Sequence, residues 1–382
     1  MFKVSIKPHW QLEQADGKQS LPRLVELLAR VRETGTLAEA CIQAGLSYRY
    51  AWGLLQDGTR TFGAPLVAMQ RGRGAVLTPL AEKLVWADKR INARLAPLLD
   101  SLASELEVEL ERALSDTGAI LRVQASHGFA VETLRDWFVR SRIPIDLKYR
   151  SSFEALGAFR SGACDLAGFH VPLGEFEAPA LQQYAAWLKP QTHRLIMLAT
   201  RRQGLIVAPG NPKSIQSLAD LSRADVRFVN RQPGSGTRML LDLMLEKAEL
   251  DGTGITGYES GEFTHAAVAA YVASGMADAG VGVEAAAKRF DLGFVPLAGE
   301  RYFFLCSKSA LKTPALLSVI DTLCNPDFRN LVNALPGYNA ANCGEVLAIE
   351  EAFPDFGRLP KSRTAKAARR PGSVESRCNP ID

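Results

Sequence analysis

Residues 234–238 read Gly-Ser-Gly-Thr-Arg and follow the strand-like run 226–231. A glycine-rich turn between a strand and a helix presents backbone N–H groups and the positive end of the helix dipole, a ready site for an anion. Gly234 and Gly236 allow close backbone approach, Ser235, Thr237 and Arg238 add donors, and Arg231 stands just before the turn. Matching donors follow two earlier strand-like runs: Ser126 beside His127, and Ser151 beside Ser152. Small hydroxyls at strand ends suit a tetrahedral oxyanion, which needs many short donors. Arginine inside the same cleft favours a carboxylate or a phosphorylated ligand instead. Tyr258 and His265 are placed to close the site. A lone Gly-Ser-Gly-Thr turn is equally a plain helix cap, and the facing serine pairs tip the reading toward ligation. His127, His170 and His265 are too scattered to read as a metal triad, and His170 reads as a core or hinge residue. The six cysteines show no Cys-x-x-Cys pair and read as reduced, scattered thiols.

A second group of residues points to nucleic acid. Thr36 and Glu39 have capping-box spacing at the start of a short helix. Cys41 and Gly45 are small residues four apart, where two helices cross closely, and Gly45 suits a tight turn. Ser47 then caps a second helix whose first turn exposes Tyr48 and Arg49. Such a helix lies in a DNA major groove, where an arginine reaches a guanine edge or a phosphate. Arg71 and Arg73 lie in a glycine-rich tip between two short strand-like runs, as in a basic wing. Trp52 on the second helix is either a contact or a core residue.

The surrounding chain must position these groups. Its 382 residues hold two or three domains, with ordinary apolar content at 47%. Net charge is only +4, but residues 21–95 carry 11 Lys/Arg against 6 Asp/Glu. Residues 100–116 reverse this, with 6 acidic and 1 basic. Residues 2–12 look β-like and are expected to pair with the wing. From residue 80 to 114, Leu84, Ile91, Leu95, Leu98, Leu102, Leu106, Leu110 and Leu114 recur at helical spacing. That stripe needs a partner, either a second copy or its own domain, and Pro97 should kink or break the helix. Beyond residue 119 strand-like and helical runs alternate, which implies open, mostly parallel sheets with ligands at strand carboxyl ends. The last 25 residues carry seven Lys/Arg, three prolines and little apolar content, and read as a disordered tail.

The segment LAEACIQAGLSYRYAWGLL…GAPLVAMQRGRGAVLTPLAEKLV resembles the N-terminal winged helix of ModE-type molybdate-responsive regulators, itself similar to LysR-type domains. The resemblance covers about residues 21–115. It places Ser47, Tyr48, Arg49 and Trp52 on a recognition helix and Arg71 and Arg73 on the wing, and it implies that the long helix makes a dimer. The chain departs from ModE proteins after that point. GLIVAPGNPKSIQSLADL, VRFVNRQPGSGTRMLLD and GYESGEFTHAAVAAYVASGMADAGVGVEAAAKRFDLGFVPLAGERYFFL resemble the periplasmic-binding-protein-like domain found in some molybdenum-related regulators. This implies a type II, two-lobed α/β domain. Its crossover strands are expected near 198–202 and 302–307, with one lobe at 119–200 plus 306–350 and the other at 203–300.

The expected organisation is therefore a winged helix-turn-helix at 1–80, a linker and dimerisation helix at 81–117, a ligand-sensing α/β domain at 118–350 and a basic tail at 351–382. The expected function is a one-component transcriptional regulator that binds double-stranded promoter DNA as a homodimer or higher oligomer. Its effector is a small anion, which the resemblance implies to be molybdate or tungstate; no other cofactor is expected. Small organic anions remain open, as do a ligand carrier and a factor of molybdenum metabolism. No nucleophile–base pair, Walker motif or metal-ligand cluster argues for an enzyme. Neither a signal peptide nor a run of 18 apolar residues is evident, so a cytoplasmic protein without membrane contact is expected.

Overall fold

A computed structural model describes residues 3–14, 17–70, 74–114 and 120–358. Arg71, Arg73 and residues 359–382 of the basic tail lie outside the described residues. The expected tail boundary at 351 is too early, because Ala352 and Phe353 are buried in the core of the α/β domain. Three helices, Pro22–Thr34, Leu37–Ala44 and Tyr48–Phe62, precede an antiparallel hairpin of Val67–Gln70 and Gly74–Leu77. Their apolar faces meet in one core built from Leu24, Leu27, Leu28, Val31, Leu37, Cys41, Ala51 and Leu55. Thr36 Oγ1 accepts from Glu39 N at 3.2 Å, one half of the anticipated box. Gly45 ends the second helix at φ +63°, and Ser47 Oγ accepts from Tyr50 N to start the third. The hairpin seats on the first turn between helices, where Ala75 N donates to Gly35 O at 2.7 Å. Gly74 is required there: its φ is +87°, and a Cβ would stand 2.2 Å from that same oxygen.

The N-terminal run departs from expectation. Gln11–Gln14 pairs with Gly17–Ser20, not with the hairpin at 67–77. Residues ahead of it run along the long helix instead, because Val4 N donates to Glu107 Oε1 at 2.8 Å and Trp10 Nε1 to Asp88 Oδ1 at 3.0 Å.

The long helix, Pro79–Leu114, continues through Pro97 without ending. Four leucines of the stripe are left uncovered by their own chain, and the face that packs on it is a different one. One face packs on its own chain: Ala103, Ser104, Glu107 and Val108 are buried. Ser104 and Ser101 hydroxyls accept the backbone N–H groups of Leu147 and Tyr149, each at 3.0 Å. They cover the outer edge of the terminal strand Ile145–Tyr149, which is otherwise an unpaired ladder. The other face leaves Leu95, Leu98, Leu102 and Leu106 exposed.

The remainder is one ten-stranded mixed sheet with helices around it. Two long antiparallel strands, His193–Val207 and Gly293–Ser307, run through both halves. On one side lie Leu166–Pro172, Leu121–Ala125 and Ile145–Tyr149. On the other lie Ala279–Val283, Phe228–Arg231 and Gly261–Glu262. The first long strand changes neighbours where expected, since its pairing with Ala279–Val283 begins at Gln203. The second changes earlier than expected. Glu300 already pairs with the first half, and the register shift between Pro296 and Ala298 makes the break. Pro296 lacks an N–H, so it cannot continue a regular ladder.

Candidate functional site

Where the two long strands pass between the halves, their apolar pattern is interrupted by Arg201, Gln203 and Glu300, all buried. The two-residue period of a strand puts Arg201 and Gln203 on one face, and Glu300 is the direct register partner of Arg201. Arg201 Nε donates to Glu300 Oε1. Gln203 Nε2 donates to the same oxygen at 2.9 Å and to Thr237 Oγ1 at 2.7 Å. A carboxylate in an ion pair only accepts, so the Gln203 amide has its nitrogen toward Glu300 and its oxygen away. His170 closes the group, with Nε2 at 3.9 Å from Glu300 Oε1 and Nδ1 at 3.4 Å from Ser126 Oγ.

The second half delivers the glycine-rich turn. Ser235 caps the helix Gly236–Lys247, and its Oγ accepts from Arg238 N at 3.1 Å. The start of that helix faces the first half across the cleft. A Cβ at Gly236 would stand 3.5 Å from Ser152 Oγ and 3.4 Å from His170 Cβ, and one at Gly234 would stand 3.5 Å from Ser151 Oγ. Arg231, at the end of its strand, is buried and donates to the carbonyls of Glu262 and Phe263, at 3.1 and 2.6 Å.

The fold thus brings together Ser126, Ser151, Ser152, Arg231, Ser235, Gly236 and Thr237 from the residues singled out in the sequence. It leaves others aside. Arg238 bonds Asp242 at 2.9 Å and Tyr258 O at 3.1 Å and stacks on the Tyr258 ring at 3.9 Å. Tyr258 OH donates to Asp242 as well, so Arg238 and Tyr258 form a network within their own half. His127 faces Glu132 at 3.3 Å and packs on the Tyr149 ring. Ser151 stays at the cleft, although its Oγ also caps a helix by accepting from Glu154 N. Arg201, Gln203 and Glu300 are not among the residues singled out in the sequence. Their signal was present as polar breaks, Thr-Arg-Arg-Gln at 200–203 and Gly-Glu-Arg-Tyr at 299–302, within apolar runs.

The electrostatics favour an anion. Burial, and then Arg201, hold the Arg231 guanidinium below its usual range, so its charge is kept at a cost that a nearby anion relieves. Burial opposes the charge of Arg201, but Glu300 and Tyr338 hold its proton more tightly than usual. Burial followed by the two arginines pushes His170 and His265 well below the usual imidazole range, so both rings are neutral. Several buried polar atoms have no hydrogen-bond partner, among them Ser152 Oγ, Gln203 Oε1, Glu300 Oε2 and His265 Nδ1. Buried polar atoms are normally satisfied, so a cluster of orphans marks a place for a ligand. An open groove of about 840 Å³ lined by Phe153, Phe176, Trp187 and Lys247 lies apart from this cluster and lacks its chemistry. Among the described residues no group of His, Cys, Asp or Glu is placed to hold a metal ion.

At the other end of the chain, Ser47, Tyr48, Arg49 and Tyr50 are exposed on the first turn of their helix. Trp52 is 42% exposed, so it is not a core residue; with Leu55, Gln56, Thr59 and Met69 it lines a shallow groove.

The family described as PBP superfamily domain matches residues 134–324. "Uncharacterized protein YvgK" of Bacillus subtilis (strain 168) is 35% identical over 204 residues, 52% of this chain and 64% of that protein. "Molybdenum-pterin-binding protein MopB" of Rhodobacter capsulatus is 36% identical over 123 residues, 31% of this chain and 44% of that protein. The chain therefore spans less than two thirds of either relative. Among solved structures, CbnR, titled a LysR family transcriptional regulator, aligns with a TM-score of 0.35 and 16% identity. That alignment covers 78% of this chain and 96% of CbnR.

Proposed function

The chain belongs to the PBP superfamily, and from that premise we propose that it is a ligand-responsive transcriptional regulator. In this reading the three helices and hairpin at 1–80 bind promoter DNA as a winged helix-turn-helix. The long helix makes the dimer, and the domain at 118–350 senses a small anion in its cleft.

The observation that carries this reading is the path of the helix Pro79–Leu114. It starts two residues after the hairpin strand Gly74–Leu77 and is then bonded to both halves of the cleft domain. A change in the cleft that shifts one half against the other must also act on this helix. It can bias DNA affinity only by as much as the anion prefers one arrangement over the other.

Support for molybdate or tungstate comes from the likeness of the N-terminal segment to ModE-type regulators and from the printed name of MopB. Arg201 and Arg231 favour a carboxylate or phosphorylated anion instead, because molybdate-type sites rely on many neutral donors. No helix among the described residues is long and apolar enough to cross a membrane. We place the regulator in the cytoplasm, with its promoter.

The test is fluorescence anisotropy with promoter DNA, with and without molybdate, tungstate, phosphate and small carboxylates. The reading requires a fragment bound more tightly than random DNA at moderate salt and an affinity that changes with one of these anions. Binding equal to that of random DNA overturns it.

A further inference from the structure

The cleft contains two buried acceptors that an acceptor-only anion cannot satisfy. Glu300 is 1% exposed, and its Oε1 already receives Arg201 Nε and Gln203 Nε2. Its Oε2 is buried without a partner. Gln203 Oε1 is in the same position, 1% exposed as a residue and unbonded at the oxygen. The amide cannot turn over to cure this, because its nitrogen is held between Glu300 and Thr237 Oγ1. Both open atoms therefore need hydrogen from a ligand. Arg201 and Arg231 supply the attraction for its negative end.

We propose that the effector is an anion that carries at least one O–H or N–H donor of its own, read by Glu300 and Gln203. This rests on the reading of the cleft as the effector site. Fully ionised tetrahedral oxyanions offer only acceptor oxygens, and against Glu300 they meet a second negative charge. Molybdate, tungstate and sulfate belong to that class at neutral pH. Hydrogen phosphate and hydroxyl-bearing carboxylates do not. A site that hydrogen-bonds a ligand O–H rejects analogues lacking it far more strongly than an apolar pocket rejects a missing methylene, by up to about 10⁴-fold. The buried acceptors left unpaired are the cause.

The test is titration calorimetry on the full chain with two matched sets of probes. Phosphate is compared with sulfate, molybdate and tungstate, and glycolate is compared with acetate, which lacks its hydroxyl. At least one donor-bearing probe is expected to bind about tenfold or more tighter than its acceptor-only counterparts. Glu300→Gln places an N–H donor where a carboxylate oxygen stood. It is expected to remove that preference, with sulfate or molybdate gaining affinity relative to phosphate. If wild-type protein binds molybdate, tungstate or sulfate as tightly as phosphate, and acetate as tightly as glycolate, the proposal fails while the anion-sensing reading stands. If no probe binds, both fail. A folded Glu300→Gln protein with unchanged preferences also overturns the proposal. Should that variant not fold, the wild-type comparison decides alone.

Discussion

The hydroxyl of Thr264 donates to the backbone carbonyl of Ala93 at 3.1 Å. That carbonyl is the one deprived of its helical donor by Pro97, four residues on, which has no N–H. The proline therefore creates an acceptor in the middle of the long helix, and the cleft domain supplies the donor. Thr264 Oγ1 also accepts from Ala267 N at 2.8 Å and so starts the helix His265–Ala273. One hydroxyl joins two helices. Thr264→Val should cost about 1–3 kcal/mol in urea denaturation, from a lost cap and an orphaned carbonyl. In a Pro97→Ala background the helix regains its own donor, and the cost of Thr264→Val should fall by about 1 kcal/mol. Equal costs in both backgrounds would show that the two residues are not coupled.

Arg94 stands one residue beyond Ala93 and grips both carboxylate oxygens of Glu262, at 2.7 and 2.9 Å. Glu262 also lends its carbonyl to Arg231 of the cleft. A chain of contacts thus runs from the cleft arginine through one backbone segment to the long helix. Arg94 is half exposed, so Arg94→Ala should cost only about 1–2 kcal/mol of stability. Anion affinity measured by calorimetry should stay close to wild type. The anion-dependent change in DNA affinity, read by anisotropy, should shrink several-fold. A variant with an undiminished DNA response would exclude Arg94 from the coupling.

Arg49 is exposed on the first turn of the helix Tyr48–Phe62, and Ser47 rather than Arg49 caps that turn. Removing its side chain should leave the fold unchanged. If it reads a base edge, Arg49→Ala should weaken promoter binding by about 1–3 kcal/mol, roughly 5- to 150-fold, and blur discrimination at one base position. If it contacts phosphate, the loss should be similar on all sequences with a smaller salt dependence. Anisotropy across a salt series separates these outcomes, and a ligand carrier would show no loss at all.

Local features were legible in the sequence where the physics is local. The caps at Thr36 and Ser47 need only a hydroxyl three residues before an N–H, and both form as expected, while Ser235, taken first as an anion donor, also serves as a cap. The alternation of strands and helices follows from apolar period. What sequence could not show were pairs that meet only through register. Glu300 lies 99 residues from Arg201, and nothing but the pairing of the two long strands makes them partners. Arg238 was read as an anion donor, yet Asp242 one helical turn on already holds it. That i,i+4 pair is visible in the sequence, and it occupies the guanidinium within its own half. In the sequence Pro97 suggests a kink or break, because the donor arriving from residue 264 does not show there.

The exposed stripe on the long helix gives a prediction on assembly. Leu98 and Leu102 are 57% and 45% exposed, one turn apart, on the face turned away from the cleft domain. The double variant Leu98→Glu, Leu102→Glu should therefore leave the monomer fold intact by circular dichroism. If this face seats a second copy, it places charges where apolar area is buried on both chains. A loss exceeding about 3 kcal/mol is expected, more than 100-fold in the dimer dissociation constant. Analytical ultracentrifugation of both proteins reads this directly. A dimer of unchanged strength would place the interface elsewhere.

The buried imidazoles predict how stability depends on pH. His170 and His265 are held well below the usual value of 6.5, first by burial and then by the nearby arginines. His193 shifts the same way, through burial and Lys189. In the unfolded chain these rings take up protons near pH 6.5, while the native protein leaves His170 and His265 neutral. The unfolded state then binds more protons, so stability must fall as pH drops below about 6.5 and be fully present above it. Two fully suppressed histidines give a slope of roughly 2.7 kcal/mol per pH unit below that point. The native carboxylates add to acid loss only lower down, since Asp278 is held at about 2, with Arg227 and Lys213 overcoming the opposing effect of burial. Urea denaturation between pH 7.5 and 5 should show this slope, and His265→Asn should reduce it by about half. A wild-type stability that is flat across that range would mean that the rings take up protons in the native state as readily as in the unfolded chain.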